Sequence, residues 1–562
     1  MPVVVAGLSG LLAGAAHALP PNDAWANRLV IRTLPYERYV PEIELATNEP
    51  TDPELFCVLQ GSPMTGSNSV WFEYTTGATE EYVDIVATGY DSLAGVFAGS
   101  PTDGYSMVRG GCNDDDRDVT DDGSKITGLR LQANTRYSIE VATYTPNVDP
   151  QMLLTFTMRR SAVYLVTKTA DTQDGTCDAD CSLREAVRAA NSAPGAIMVP
   201  AGHYDVGSSE LGAVRGGNLY GAGMDATVID ANGLRRTLIH GDLARNTYAL
   251  HDLTLAGGMT AGKGGAFLGD GSGYYAFDRV AFRASQGWDG GGVSVPHPSS
   301  SLSMFDSVVS GNAATRNGGG VDFAGSNVEL VGTSIVDNKG VIGGGIYMAP
   351  YRAGRLKNTT VSGNSANGTA AGVYAEAWTV STRLAINNSS IVDNATSAPA
   401  SPQNGGLVVT GDDPPTTAPV ITNTVLAGNH LAQDPATILD CGKTATVTLT
   451  TGYDLVQAPN GCAFSATGDV TAVDPQLQPL TVTAVPVHVP AEGSPLIDAG
   501  NPGAGCEATD ARGVARPADG NADGTPRCDI GAIEWTTHRD RDLIFADGFE
   551  QPARALVAPK PF

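Results

Sequence analysis

Gly332-Thr333-Ser334-Ile335-Val336-Asp337-Asn338 and Asn358-Thr359-Thr360-Val361-Ser362-Gly363-Asn364 carry one pattern twice, 26 residues apart. Working outward, the pattern recurs over residues 250–429. Earlier copies start at Asp252, Asp278 and Asp306, later ones at Asn388 and Asn423. Six residues after each start a second column reads Gly258, Ala284, Asn312, Asn338, Asn364, Asn394 and Asn429, the last five spaced 26, 26, 30 and 35 residues apart. A unit of this length, repeated in tandem, is the signature of a solenoid.

Which solenoid follows from the apolar columns. Two residues before each start lie Leu250, Ala276, Met304, Leu330, Leu356, Ile386 and Ile421. Three residues after it lie Leu255, Ala281, Val309, Ile335, Val361, Ile391 and Leu426. These runs are short and rich in β-branched residues, without a helical period. Glycine clusters such as Gly290-Gly291-Gly292 and Gly318-Gly319-Gly320 punctuate them and suit sharp corners. About three short strands per coil predict a parallel β-helix, so the chain is read as all-β.

The composition narrows the class of function. The chain has 562 residues, 68 of them glycine, and a net charge of −26. No basic stripe is present, which argues against nucleic acid and against anionic lipid. Residues 3–15 are apolar and small and precede Ala16-His17-Ala18, the core and cleavage site of a signal peptide spanning residues 1–18. No later run is long enough for a transmembrane span. Eight cysteines fall in near pairs, Cys57 with Cys112, Cys177 with Cys181, Cys441 with Cys462 and Cys506 with Cys528. In an exported chain they read as four disulfides. The expected location is secreted or at the cell surface, with the outer surface of a Gram-negative-type bacterium in view, and the expected state is a monomer.

The segment before the repeat, residues 22–160, has alternating runs such as Ser69-Val70-Trp71-Phe72-Glu73-Tyr74 and predicts a β-sandwich. Asn22-Asp23-Ala24-Trp25-Ala26-Asn27, Asp91-Ser92-Leu93-Ala94-Gly95-Val96-Phe97-Ala98-Gly99 and Ala133-Asn134-Thr135-Arg136-Tyr137 within it resemble the bacterial pre-peptidase C-terminal-like domain. That resemblance implies an accessory module without catalysis; the insert carrying Cys57 departs from its pattern. Residues 161–194 contain Cys177-Asp178-Ala179-Asp180-Cys181-Ser182-Leu183-Arg184-Glu185-Ala186. Ser182 and Glu185 predict a capping box on a short helix over the first coil. This string resembles the CSLREA-type region that opens certain bacterial β-helix proteins. The coils themselves, assigned to 195–480, resemble pectate-lyase-like β-helices at Gly221-Ala222-Gly223-Met224-Asp225. Residues 481–535, with Ser494-Pro495-Leu496-Ile497-Asp498-Ala499-Gly500, Asp510-Ala511-Arg512-Gly513 and Cys528-Asp529-Ile530-Gly531-Ala532-Ile533-Glu534, resemble the choice-of-anchor Q region. They are expected to cap the C-terminal end, ahead of a tail at 536–562.

Chemistry is sparse. Asp114, Asp115, Asp116 and Asp118 crowd one loop and are candidate calcium ligands, against the plainer reading of a solvated acidic loop. The Asp/Asn columns serve turns and stacking first. The outward column after the glycine corners should hold Leu268, Ser294, Asp322, Tyr347, Tyr374 and Val408, with Trp288 and Trp378 near corners. Aromatics there could stack on sugars, so Trp288, Asp322, Tyr347 and Tyr374 are the candidate ligand-binding residues for a polysaccharide or cell-surface glycan. No catalytic residue and no certain cofactor emerge. The favoured reading is a non-catalytic exported β-helix for adhesion, display or glycan binding. The competing reading is a secreted polysaccharide lyase or glycoside hydrolase, favoured by three or more outward charges within about 6 Å of one another.

Overall fold

The computed structural model describes residues 18–536, apart from residues 60, 63, 103, 117, 146–151, 207–208, 213–216, 241–245, 378–382, 412–416 and 504. The repeat winds as a parallel β-helix. Each central coil gives two strands to a long sheet, one on either side of a turn, as in Ser301–Phe305 and Val308–Ser310 around Asp306. It gives one more strand to a seven-stranded sheet and one to a nine-stranded sheet.

The core columns line up. Leu255, Phe282, Val309, Ile335, Val361, Ile391 and Leu426 stack in register, and all are buried in one core. The second coil corrects the sequence alignment by one residue. Its partner to Leu250 and Met304 is Phe277, not Ala276, and its partner to Leu255 is Phe282, not Ala281. Arg279 therefore occupies the turn column with Asp252, Asp306, Gly332, Asn358, Asn388 and Asn423. All of them have positive φ, from 43° at Asn388 to 58° at Gly332. The larger phenylalanines take the core because burying them removes more apolar surface. Ala276 and Ala281 face outward, where small side chains let other parts of the chain approach closely.

Two side-chain ladders climb the corners. In the first, the Asn312 amide donates to Asn338 Oδ1 at 3.0 Å, Asn338 to Asn364 at 3.0 Å, Asn364 to Asn394 at 2.9 Å and Asn394 to Asn429 at 2.8 Å. Asn429 then donates to Asp440 Oδ1 at 2.9 Å. In the second, backbone N–H groups donate to the hydroxyl one coil on: Val280 to Ser307, Thr359 to Ser389 and Ser389 to Thr424. The Thr424 N–H donates to Asp454 Oδ1 at 2.9 Å. The Asn-x-Ser/Thr strings at Asn358, Asn388 and Asn394 are thus buried structural positions.

The solenoid begins earlier than expected, with Ala162–Leu165 pairing in parallel with Gly195–Met198. The helix Leu183–Ser192 covers the first coils, with Leu183, Ala186, Val187 and Ala190 in the common core. Its capping box is complete: Glu185 N–H donates to Ser182 Oγ at 3.2 Å and Ser182 N–H to Glu185 Oε2 at 2.7 Å. All four disulfides pair as read from the sequence.

Both flanking modules lie along the rod. The N-terminal block is a sandwich of a five-stranded and a four-stranded sheet. Its outer residues Leu55, Trp71, Leu93 and Phe97 pack with Ala249, Tyr274 and Ala276 of the solenoid. The Cys57 insert is the wedge between them. Val58 O accepts from Ser301 Oγ and Asn327 Nδ2, and Glu54 pairs with Arg355 at 2.7 Å. Residues 485–535 follow the other half of the long sheet rather than covering its last coil. Ser362 Oγ meets His488 Nε2 at 2.8 Å, Ala532 N–H donates to Ser390 Oγ, and Val485 packs on Ala281 and Val308.

Candidate functional site

On the nine-stranded face, the outward column falls in the predicted register: Leu268, Ser294, Asp322, Tyr347, Tyr374 and Val408 are successive partners. Its exposure differs from expectation, because Leu268, Ser294, Asp322 and Val408 are buried. Ser294 Oγ donates to Asp322 Oδ2 at 2.7 Å. Burial pushes the Asp322 carboxyl up to about 6, with that hydrogen bond opposing.

Tyr347 and Tyr374 stack on each other with centroids 5.4 Å apart and planes 8° from parallel. Their facing sides are occupied by each other. They therefore present edges and hydroxyls, and those hydroxyls bond Glu376 at 2.7 Å and Thr410 at 3.3 Å. The stacking platform expected of the two tyrosines is thus reduced to its two ends.

Trp288, at the neighbouring corner, is 48% exposed, with the Arg316 guanidinium 5.1 Å from its ring centroid. Its backbone is tied to the coils on both sides, Trp288 N–H donating to Gly262 O and Arg316 N–H to Trp288 O. Next to it, buried Asp289 pairs with Arg316 at 3.6 Å and Lys263 at 4.0 Å. Trp378 lies outside the described residues.

A second charged cluster sits where the turn column passes between the flanking modules. Arg279 bonds Asp252 at 2.6 Å and Asp278 at 2.9 Å, while Arg130 from the sandwich bonds Asp252 at 3.1 Å. Burial alone would raise Asp252, but its hydrogen bonds to Arg279 and Arg130 outweigh it and leave the carboxyl below the ordinary range. Sequence reading missed this cluster. Arg130 lies over 100 residues from Asp252 and Arg279, and only the unusual cation in the turn column could have marked it.

In the acidic loop, carboxylate oxygens of Asp91, Asp114 and Asp115 come within 4.8 Å of one another, so Asp91 joins two of the predicted ligands. Asp116 instead accepts from Asp118 N–H, and burial pushes it up to about 6. Asp118 lies 3.5 Å from Lys125.

The Asp510-to-Glu534 stretch of the C-terminal segment folds with little regular structure. Asp510 accepts from Arg512 and Val514, and Glu534 from Arg516 at 2.8 Å and from the Asp529 and Ala518 N–H groups. Its carboxylates are anchors for loop backbone.

No family model matches the chain, and no curated protein matches it. Among solved structures, it is similar to catalytic domains of GH87 alpha-1,3-glucanase. One, in complex with nigerose, shows 9% identity and a TM-score of 0.21, covering 78% of this chain and 94% of that chain. Another, a variant in complex with tetrasaccharides, shows 11% identity and a TM-score of 0.17, covering 78% of this chain and 92% of that chain. Values this low carry no inference about the site. Among the described residues no helix is long and apolar enough to cross a membrane.

Proposed function

We propose that this chain is an exported, non-catalytic β-helix protein that binds a polysaccharide at the Trp288 corner of its nine-stranded face. The observation that carries the reading is the half-exposed Trp288 ring, held on a rigid corner beside Arg316, Lys263 and Asp289. An aromatic face flanked by fixed hydrogen-bonding groups is what a sugar ring needs for stacking and orientation. Charges do cluster, which was the criterion for an enzyme. Yet Asp289 and Asp252 are each held by two cations, and Asp322 is only 4% exposed. A glycosidase needs two carboxyl groups free to face the scissile bond.

Four disulfides support an oxidising, extracytoplasmic location. The string resemblances support a pre-peptidase C-terminal-like sandwich, a CSLREA-type opening region and a choice-of-anchor Q-type closing segment on a surface-displayed monomer. Affinity electrophoresis against a polysaccharide panel tests the binding: retardation by at least one glycan is expected, lost in Trp288→Ala with the melting temperature unchanged. Release of reducing or unsaturated sugar, abolished by Asp322→Asn, would establish the enzyme reading instead.

A further inference from the structure

The insert that wedges the sandwich against the rod closes over a carboxyl group with no partner. Glu140 lies in the strand Arg136–Thr143, opposite Trp71 on one side and Gly95 on the other. Its face of the five-stranded sheet, with Trp71, Leu93, Phe97 and Ala142, packs against Leu55, Cys57, Val58 and Leu59 of the insert. Leu55 reaches the sheet directly, since a Cβ on Gly95 would sit 2.6 Å from its side chain. Glu140 is wholly buried, and neither of its carboxyl oxygens has a hydrogen-bond partner. Ser138 and Ser69 on the same face do have partners: Ser138 Oγ donates to Gly99 O at 2.8 Å and Ser69 Oγ to Asp52 Oδ2 at 2.8 Å.

The surrounding charges do not compensate. Asp52 and Glu49 come from the insert and Asp23 from the N-terminal turn, Glu73 and Tyr105 from the neighbouring strands, and Tyr274 from the solenoid. Among the described residues the cations nearby are Arg28 and Arg355, and each already holds a carboxylate, Glu73 at 2.6 Å and Glu54 at 2.7 Å. An ionised Glu140 would therefore be dry, unbonded and close to Asp52, which is costly. Burial, and then the Asp52 charge, hold the Glu140 carboxyl well above its ordinary value of 4.5. A raised carboxyl favours the closed state fully below that ordinary value, and the advantage is lost as pH rises through the raised one.

The same short segment grips the rod. Glu54 pairs with Arg355, whose guanidinium lies over the Phe56 ring at 5.2 Å, and Val58 O accepts from Ser301 and Asn327. Cys57 is bolted to Cys112, and Arg130 with Asp252 and Asn113 with Thr247 join sandwich to rod elsewhere. Loosening the insert thus frees the coils of Ser301, Asn327 and Arg355 without detaching the sandwich.

We propose that the insert is a pH-operated clasp, closed on the rod while Glu140 is protonated and opened when Glu140 ionises. It is independent of the Trp288 corner.

The test is amide hydrogen exchange of the full, disulfide-intact chain, with parent and Glu140→Gln compared at the same pH so that intrinsic rates cancel. Glutamine keeps the shape and cannot ionise. At pH 5 the insert residues 52–59 should exchange alike in both. At pH 8.5 they should exchange about tenfold or more faster in the parent, with the strand Ser334–Val336 of the rod unchanged. Asp52→Asn, which keeps an oxygen for Ser69 but removes the like charge, should move the opening to higher pH. Three results would each overturn the proposal: equal exchange at both pH values, a difference of the same size at both, or an opening midpoint unmoved by Asp52→Asn.

Discussion

At the scale of single residues, the Gly and Asp alternation at one turn position has a steric rule behind it. Gly311, Asp337, Gly363, Asp393 and Gly428 all have positive φ, between 56° and 66°. A Cβ on Gly363 would sit 2.5 Å from Asp337 Oδ1, and one on Gly428 would overlap Asp393 in the same way, whereas a Cβ on Gly311 meets nothing within 4 Å. An aspartate in one coil thus requires glycine in the next. Gly311→Ala is expected to cost ~1–2 kcal/mol, the left-handed penalty alone. Gly363→Ala should cost more, and Asp337→Gly should restore the difference in chemical denaturation. Equal costs would refute the rule. The alternation was legible in the sequence as a turn; the vertical overlap was not, because it depends on which coil lies above. Residue identity also misled at the second coil, where Asp278 looked like the turn residue and Arg279 is. The flanking pair Phe277 and Phe282 held the better signal.

At the scale of elements, the ladders show what the columns are for. Each middle asparagine accepts from the coil before and donates to the coil after, all of it buried. Asn364 accepts from Asn338 and donates to Asn394 Oδ1 and Ile335 O. Replacing it with alanine strands buried donors, so Asn364→Ala should cost about 3 kcal/mol or more. The terminal Asp440 adds a pH dependence. Burial pushes its carboxyl up to about 7 from an ordinary value of 3.8, against hydrogen bonds from Asn429 and Ala458 that lower it. A raised carboxyl means that the folded state holds the proton more tightly. The stabilisation is therefore full below about pH 4 and is lost as pH rises towards 7, by up to about 4 kcal/mol. Denaturation midpoints should fall from pH 5 to pH 8, and Asp440→Asn should flatten that fall; an unchanged slope would count against the assignment. The columns were readable because they repeat. Asp440 and Asp454 were not, since both come after the regular spacing breaks down.

At the scale of the whole molecule, a sandwich and a loop-rich segment are laid along one rod. The solenoid was legible from periodicity. The docking was not, because its bonds join residues far apart, such as Ser301 and Val58, 243 positions apart in the chain. Backbone carbonyl acceptors leave no mark in a sequence. The acidic loop of the sandwich gives a separate test. If Asp91, Asp114 and Asp115 hold calcium, an excess of about a hundredfold over Kd should stabilise the chain by about 2.7 kcal/mol. The gain should show as a rise in melting temperature over EDTA, absent in Asp91→Asn. No rise in the parent chain would count against an ion among these carboxylates, of which Asp114 and Asp115 are buried.

The two ladders have a further consequence. The asparagine ladder hands its side-chain bonds onward from coil to coil and closes on Asp440, whereas the second continues past Asp454, whose N–H donates to Asp469 Oδ1. The rod is written with a full stop as well as a rhythm. A coil copied in among Asn338, Asn364 and Asn394 would splice into the asparagine chain and lengthen the rod by one step. Duplication of a middle coil is thus the way this rod extends without breaking its asparagine chain.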